Sequence, residues 1–425
     1  MVLHVPTAAL SAVHGAVIDI PRDALSEGKG KEIVEQGFTQ EGEMTRISIK
    51  ELLRESTDIA VLEIENNGEK GTSEVPFNDL RSGGNALNTA TAIARIEQLL
   101  IGESGMYVHG PFSPLHQELI ERDTGLEVTN PLNITEQAMM PSRISIVDAE
   151  AEKYLKYKPK IDGQLSFLVQ RGILMPTQNG DLILSSCINS PIFWNQIKDY
   201  LRNNPGTQLY FQPGSVHLGK LVENEQYLPK DLMRSGRIVV ILNVGEVDGF
   251  AQNLEDHSIG QIMGKKTLEI LEDKTISLSS VERARAVNTA LALAAKGLRD
   301  IVITDGPGTI TNIHSEAQGK MTLHITKPQD RAMTEATLSA VGINKPSEKV
   351  LTTGCGDTFT GAFIALSRLY PHADRNTLME TASLFSAIQT HNTKSNIGNL
   401  DLEPLKKHII EKLGQPNPRE FDMVG

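Results

Sequence analysis

Short apolar runs alternate along the chain with longer segments whose apolar residues are spaced as on one face of a helix. The runs that we interpret as buried strands are residues 16–20, 59–64, 181–187, 208–212, 237–242 and 300–304. Such alternation is typical of a parallel sheet covered by helices on both faces. We therefore predict an α/β fold with three layers, in which a mostly parallel central sheet lies between two layers of helices.

The stretch Thr352–Gly361, with the sequence TTGCGDTFTG, carries the most informative chemistry. Its glycines allow a sharp turn in which successive N–H groups can converge on an anion, and a helical run that follows adds its own unpaired amides and dipole. Asp357 is then placed to take a proton from a hydroxyl that attacks a phosphate. The segment alone is equally compatible with an ordinary helix start, in which Asp357 is the N-cap.

This stretch resembles the carboxy-terminal signature of the ribokinase (PfkB) family of carbohydrate kinases, Asp-Thr-Thr-Gly-Ala-Gly-Asp-Thr-Phe. Leu351 stands where the family has its first aspartate, and Cys355 replaces the alanine. The resemblance implies that Asp357 is the catalytic base. It also implies that the amides of Gly354, Cys355 and Gly356 form an anion hole for the transferred phosphoryl group.

Two segments near the amino terminus resemble the parts of this family that bind the acceptor. The sequence SGGNALNTA is similar to the signature Gly-Gly-x-x-x-Asn-x-Ala, which implies sugar contacts for Gly83, Gly84 and Asn88. The segment 13–20 is similar to the family's opening strand, which implies that Asp19 binds sugar hydroxyls. The alternatives are a plain loop with a surface asparagine, and an aspartate that only forms a turn.

Two further strand ends resemble the family's nucleotide and metal motifs. Asn243 and Glu246 match Asn-x-x-Glu, which implies that they position Mg²⁺ and the phosphates through water. Thr304, Gly306 and Gly308 match Val-Thr-x-Gly-x-x-Gly, which implies contact with the nucleotide, although Gly308 falls one residue early. Otherwise Glu246 is a solvated carboxylate at a helix start, and the second segment is an ordinary strand-to-helix turn.

The whole chain, residues 1–425, is interpreted as a single ribokinase-like kinase domain. In the family a small β-sheet closes over the sugar as a lid, and segments 57–66 and 137–158 are our candidates for it, the alternative being two edge strands of the main sheet. Residues 22–57 and 247–280 are predicted insertions, because the chain is longer than a typical member. A homodimer formed through the lid is compatible with this interpretation.

Composition narrows the class of function. The net charge is −12, with an isoelectric point near 5.5 and without a cluster of basic residues, which argues against a nucleic-acid partner. No apolar run approaches the length of a membrane span, so no membrane partner is expected. The two cysteines, Cys187 and Cys355, fit the reducing cytoplasm better than a disulfide framework.

We therefore expect a magnesium-dependent kinase that transfers the γ-phosphate of ATP to a hydroxyl of a sugar or sugar-like small molecule. The donor could instead be ADP, as in the longer ADP-dependent sugar kinases of this fold, and the acceptor a nucleoside or a vitamin alcohol. A protein of this fold that has lost catalysis and acts as a binding or regulatory partner is the alternative from another class. Because Leu351 removes a carboxylate, little activation by K⁺ is expected.

Overall fold

A computed structural model defines the conformation of most of the chain. The residues that the structure describes are 7–10, 17–39, 46–53, 58–139, 144–148, 153–157, 175–176, 180–185, 191–213, 235–252, 281–295, 297–298, 300–306, 309–315, 321–326, 335–344, 354–392, 394 and 396–416. Across these residues, no helix combines the length and the apolarity needed to cross a lipid bilayer.

The strands are numbered here in chain order. They are β1 Thr7–Leu10, β2 Val17–Pro21, β3 Arg46–Leu53, β4 Ile59–Asn66, β5 Glu69–Pro76, β6 Arg81–Gly83, β7 Met106–His109, β8 Glu127–Thr129, β9 Ile144–Asp148, β10 Lys153–Tyr157, β11 Leu182–Leu184, β12 Leu209–Phe211, β13 Ile238–Asn243, β14 Asp300–Thr304, β15 Ile310–Ser315 and β16 Met321–Thr326.

The helices are numbered in the same way. They are α1 Lys29–Thr39, α2 Asn85–Ile101, α3 Pro114–Thr124, α4 Ile134–Met139, α5 Pro191–Asn203, α6 Val244–Gln252, α7 Val281–Ala295, α8 Glu335–Ala340, α9 Cys355–Leu369, α10 Arg375–Gln389 and α11 Glu403–Leu413. Short 3₁₀ turns lie at Arg22–Ala24, Phe77–Asp79 and Ile397–Asn399.

The central sheet has nine strands in the order β16-β15-β14-β13-β12-β11-β1-β7-β8. The strands from β14 to β8 in this order pair in parallel, and only the β14–β15 and β15–β16 pairs are antiparallel. Because strand side chains alternate between faces, Leu182 and Leu184 pack in one hydrophobic core while Ile183 packs in the other. Both faces are buried, which explains why these strands are continuously apolar in sequence.

Helices cover both faces of this sheet. Helices α5, α6 and α7 supply the first core, with Phe193, Trp194 and Phe250 among its largest side chains. Helices α2, α9, α10 and α11 contribute to the second core on the opposite face. The three-layer α/β architecture with a mostly parallel central sheet is therefore confirmed.

Two of the predicted strands lie outside the central sheet. The runs 16–20 and 59–64 form β2, in a four-stranded sheet ordered β10-β9-β2-β6, and β4, in a three-stranded sheet ordered β3-β4-β5. Each run carries one acidic residue, Asp19 or Glu63, and its positions alternate between buried and partly exposed, so it buries one face only. That alternation marks strands of small sheets with an outer face, because a central parallel strand is buried on both faces.

The two small sheets share a third hydrophobic core. It joins Ile18 of β2, Leu62 of β4 and Ile33 of α1, among other apolar residues. Both lid candidates thus lie outside the central sheet: 57–66 contributes β4, and 137–158 contributes the end of α4 together with β9 and β10. Whether these sheets close over a ligand remains a prediction.

The two predicted insertions are placed only in part. Residues 22–57 contain α1 and β3, which pack with the small sheets, and 247–280 begins within α6 and continues beyond the described residues. Their status as insertions stays a prediction.

Candidate active site

Polar side chains follow four neighbouring strands of the central sheet at its carboxyl edge. Ser185 and Gln212 come directly after β11 and β12, while Asn243 and Thr304 are the last residues of β13 and β14. These strands are adjacent and parallel, so their carboxyl ends meet at one edge. Open α/β sheets bind ligands at this edge, which makes it the candidate active site.

Helix α9 brings Asp357 to the same place. Gly354 precedes the helix with φ of 73° and ψ of 0°, a left-handed conformation that favours glycine, and the helix begins at Cys355. The first amides of a helix have no acceptor within it, and an added Cβ at the exposed Gly356 would meet no atom within 4 Å. The start of α9 therefore offers amide donors beside open space. Asp357, 8% exposed, lies in the first turn.

A close contact between α2 and α9 positions Asp357 against Asn88. At Gly361 an added Cβ would lie 2.5 Å from the carbonyl oxygen of Thr89 and 2.6 Å from Cβ of Ala92. Only glycine lets the two helix backbones approach this closely. Asn88 directly precedes Thr89, Asp357 lies one turn before Gly361, and Nδ2 of Asn88 donates to Oδ2 of Asp357 at 3.1 Å.

The second carboxylate oxygen of Asp357 has its own amide donor. Nε2 of Gln212 donates to Oδ1 at 3.3 Å. The Ser185 hydroxyl in turn donates to Oε1 of Gln212 at 3.3 Å. Each oxygen of the carboxylate thus accepts from one side-chain amide, and the two amides come from different elements, α2 and the end of β12.

The pKa of Asp357 is raised to about 6, chiefly by burial. Hydrogen bonds from Asn88 and Gln212 act in the opposite direction because they stabilise the ionised carboxylate, and the negative charge of Glu246 raises the pKa further. A carboxylate with a pKa near 6 is a stronger base than an ordinary aspartate and is still ionised at neutral pH. The site therefore suits proton abstraction from a hydroxyl.

Two buried polar atoms, one on each of the helices α2 and α9, have no hydrogen-bond partner among the described residues. They are Oδ1 of Asn88 and Oγ1 of Thr358, the residue next to Asp357. A buried polar group without a partner is unfavourable, so a ligand hydroxyl or phosphate oxygen that reached these atoms would stabilise the site. This arrangement fits Asn88 as a contact for the acceptor as well as for the base.

The remaining predicted acceptor residues lie on the path into α2. Gly83 ends β6, and Gly84, with φ of 101°, precedes the first residue of α2. Asp19 lies on β2 directly opposite Arg81 of β6, and Val17, two residues earlier on β2, lies opposite Gly83. Ile18 and Ile20 face the core of the small sheets, so Asp19 belongs to the opposite face. The predicted sugar contacts of these residues stay predictions.

Asn243 and Glu246 form a capping box at the start of α6. The Asn243 amide donates to Oε2 of Glu246, and the Glu246 amide donates to Oδ1 of Asn243, both at 3.0 Å. Asn133 and Glu136 make the same reciprocal pair at the exposed start of α4. The Asn-x-x-Glu spacing therefore has a structural cause in this chain that is independent of any ligand.

What separates the two pairs is their surroundings. Glu246 is 8% exposed and its charge acts on Asp357. Two carboxylates that repel each other in a water-poor site favour a cation between or beside them. Mg²⁺ takes oxygen ligands and usually keeps several of its own waters, so the donor set fits this ion, although the described residues contain no cluster of three acidic, histidine or cysteine side chains for direct ligation.

The predicted nucleotide segment is described in part. Thr304 ends β14, and its hydroxyl donates to the carbonyl oxygen of Leu242 at 3.4 Å. Gly306 has φ of +46° and room for a Cβ, whereas Gly308 lies outside the described residues. Asp305, which lies between Thr304 and Gly306 along the chain, forms an ion pair with Arg283 of α7. The segment is a turn at the ligand-binding edge, and its contact with a nucleotide remains a prediction.

Sequence reasoning missed three residues of this site. Gln212 and Ser185 belong to no recognised motif. Both directly follow strands that end at the candidate ligand-binding edge, and this position could have been used to identify them. Gly361 was part of the quoted glycine stretch, but its role as a helix contact depends on the distant Thr89 and Ala92.

Comparison with known proteins defines the fold. No protein-family model matches the chain, and no curated protein matches its sequence. Among solved structures, a candidate ribokinase II from E. coli in its apo form aligns with a TM-score of 0.50 and 12% identity, covering 96% of this chain and 100% of its own. The likeness shows that this chain has the ribokinase fold.

Two ribokinases give similar alignments. The protein from Thermotoga maritima has a TM-score of 0.49 and 10% identity, with coverage of 96% of this chain and 100% of its own. The protein from Arabidopsis thaliana, solved with ribose and ATP, has a TM-score of 0.47 and 13% identity, with coverage of 97% and 99% respectively.

Proposed function

We propose that this chain is a ribokinase-family carbohydrate kinase, which transfers the γ-phosphate of ATP to a hydroxyl of a sugar or sugar-like molecule. The observation that carries the proposal is the position of Asp357. It is buried, it accepts an amide on each oxygen, and it lies in the first turn of a helix whose amides adjoin open space. The candidate base and the backbone amides that can donate to an anion therefore lie within one turn of the same helix.

The proposed reaction follows from these groups. Asp357 accepts the proton of the acceptor hydroxyl as that oxygen bonds to the γ-phosphorus, while the bond from this phosphorus to the β–γ bridging oxygen breaks and ADP leaves. Negative charge on the transferred group is stabilised by the amides of Gly354, Cys355 and Gly356. Oδ1 of Asn88 is available to accept from the substrate.

Magnesium would be held by Glu246 with Asn243 through water. When bound, it would neutralise charge on the phosphates of the donor. The contribution of this chain is to keep Glu246 near Asp357 while the capping box holds its orientation.

The test is an acceptor screen with the purified chain. ADP or AMP formation is followed with Mg²⁺ and either ATP or ADP as donor, over sugars, sugar-like alcohols, nucleosides and vitamin alcohols. We expect turnover only with ATP and a sugar-like acceptor. We also expect Asp357→Asn to remove this turnover.

Other results would redirect the proposal. Turnover with ADP alone would identify an ADP-dependent kinase, and turnover limited to nucleosides a nucleoside kinase. Acceptor and nucleotide binding without turnover under any condition would contradict the kinase proposal and favour a binding protein.

A further inference from the structure

Gln212 occupies a position that no sequence motif assigns. It directly follows β12, and its side chain reaches across to α9, where Nε2 lies 3.3 Å from Oδ1 of Asp357. Asn88 approaches the other oxygen from α2. The carboxylate is therefore held between two neutral amides, which restrict both its rotation and its position.

The carboxylate of Asp357 fixes the direction of the Gln212 amide. The two ends of an amide have nearly the same shape, so the hydrogen-bond partners decide which end faces the carboxylate. Ser185 is fully buried, and its hydroxyl donates to Oε1 of Gln212. An ionised carboxylate can only accept, so the NH₂ end of Gln212 faces Asp357 and the carbonyl end is left to accept from Ser185.

We propose that Gln212 is a positioning residue for the base: with Asn88 it clamps the Asp357 carboxylate, and Ser185 holds the carbonyl end of its amide. The catalytic meaning of this clamp rests on the proposed kinase function, whereas the clamp itself does not. A neutral donor suits this place because a lysine or arginine would form an ion pair and reduce the basicity of the carboxylate. Hydrogen bonds from amides orient it and leave it able to accept a proton.

The clamp has a direct electrostatic consequence. Both amides favour the ionised form of Asp357, while burial and the charge of Glu246 favour the protonated form. Glu246 of α6 is the charged group that acts on Asp357, and the neighbours that bond to it from α2 and β12 are neutral. Removing the Gln212 donor should therefore raise the pKa of Asp357 above about 6.

The test is a carbon-13 NMR titration of the Asp357 carboxyl group in the full chain. Aspartate is labelled at its carboxyl carbon, and the signal of Asp357 is the one that Asp357→Asn removes. In Gln212→Leu, which keeps the approximate volume, we expect the pKa of Asp357 to rise by about one unit. Gln208→Leu is the matched control, since it makes the same change at the other end of β12 and should leave that pKa unchanged.

Activity provides the second readout. If the kinase proposal holds, the acid limb of kcat/KM in Gln212→Leu should move to higher pH by the same amount, while the KM for ATP stays constant. Ser185→Ala, a milder change, should move the NMR pKa in the same direction and serves if Gln212→Leu does not fold. An unchanged Asp357 pKa in the folded Gln212 variant, or in Ser185→Ala where it replaces that variant, would overturn the clamp. A shifted pKa in a chain without turnover would support the clamp and contradict the kinase proposal alone.

Discussion

The contact at Gly361 leads to a quantitative prediction about Gly361→Ala. The new Cβ would lie 2.5 Å from the Thr89 carbonyl oxygen and 2.6 Å from Cβ of Ala92, and neither atom can rotate away. Non-bonded carbon atoms are most favourable at about 3.5–4.0 Å, so α2 and α9 must separate by about 1 Å. Overpacking of this kind costs about 1–3 kcal/mol of folding free energy.

The same displacement should reach the active site. The Asn88–Asp357 hydrogen bond is 3.1 Å long and lies next to this contact. Moving α2 and α9 apart by about 1 Å would therefore stretch it beyond hydrogen-bonding range. Loss of that donor should raise the pKa of Asp357 and lower kcat. Gly361→Ala is therefore expected to impair stability and turnover together.

Urea titrations of Gly361→Ala and Gly356→Ala measure the stability change. Gly356 is the matched control because it lies in the same helix, where an added Cβ meets no atom within 4 Å, and only its stability is compared. We expect Gly356→Ala to be neutral or more stable by up to about 1 kcal/mol, since alanine favours helix. A loss below about 0.5 kcal/mol in Gly361→Ala, the range of neutral surface changes, would refute the packing argument.

Three further predictions concern charge and ions. Because the pKa of Asp357 in the folded chain is about 6, against 3.8 for an ordinary aspartate, proton binding there stabilises the fold below pH 4 and this stabilisation is lost as the pH rises through 6. The unfolding free energy of the wild type relative to Asp357→Asn, measured in urea, should thus fall by about 2.4 kcal/mol between pH 4 and 7, and a constant difference would contradict the shift. Glu246→Gln should keep the α6 cap but weaken Mg²⁺ binding by about tenfold or more in calorimetry. Glu136→Gln, the control, should leave Mg²⁺ affinity unchanged, and equal Mg²⁺ affinities for the two variants would refute the metal assignment. Initial rates in potassium and sodium at constant ionic strength should differ by less than about tenfold, because Leu351 lacks a carboxylate; a larger rise with potassium would contradict this.

The central strands could be predicted from the sequence because their burial determines the residue types within each strand. Runs such as 237–242 and 300–304 are apolar at every inner position because both faces of a central strand are buried, and both lie in the central sheet. The runs 16–20 and 59–64 each include one acidic residue and bury one face only, as strands of the small sheets do. Pairing partners, such as β2 with β6 and β9, depend on distant residues and could not be obtained from the segments themselves.

In the candidate site, too, features that are close together in sequence could be predicted, and those that folding brings together could not. The glycine turn and Asp357 could be found because a sharp turn, a helix start and a carboxylate lie next to each other in sequence. The two donors to that carboxylate lie 269 and 145 residues away along the chain, so only the folded packing brings them together. The capping role of Asn243 and Glu246 was predictable from spacing, whereas the burial that separates this pair from Asn133 and Glu136 was not.

The most direct test of the kinase proposal is the turnover of Asp357→Asn with the acceptor that the screen identifies. Loss of a general base should lower kcat by about 10²–10⁴-fold. Nucleotide affinity, measured by calorimetry on the same preparation, should stay nearly unchanged because the amides of Gly354, Cys355 and Gly356, which we propose to bind the phosphates, remain. A variant that keeps more than about a tenth of the wild-type kcat, equivalent to less than about 1.4 kcal/mol of barrier, would contradict the role of Asp357 as the base.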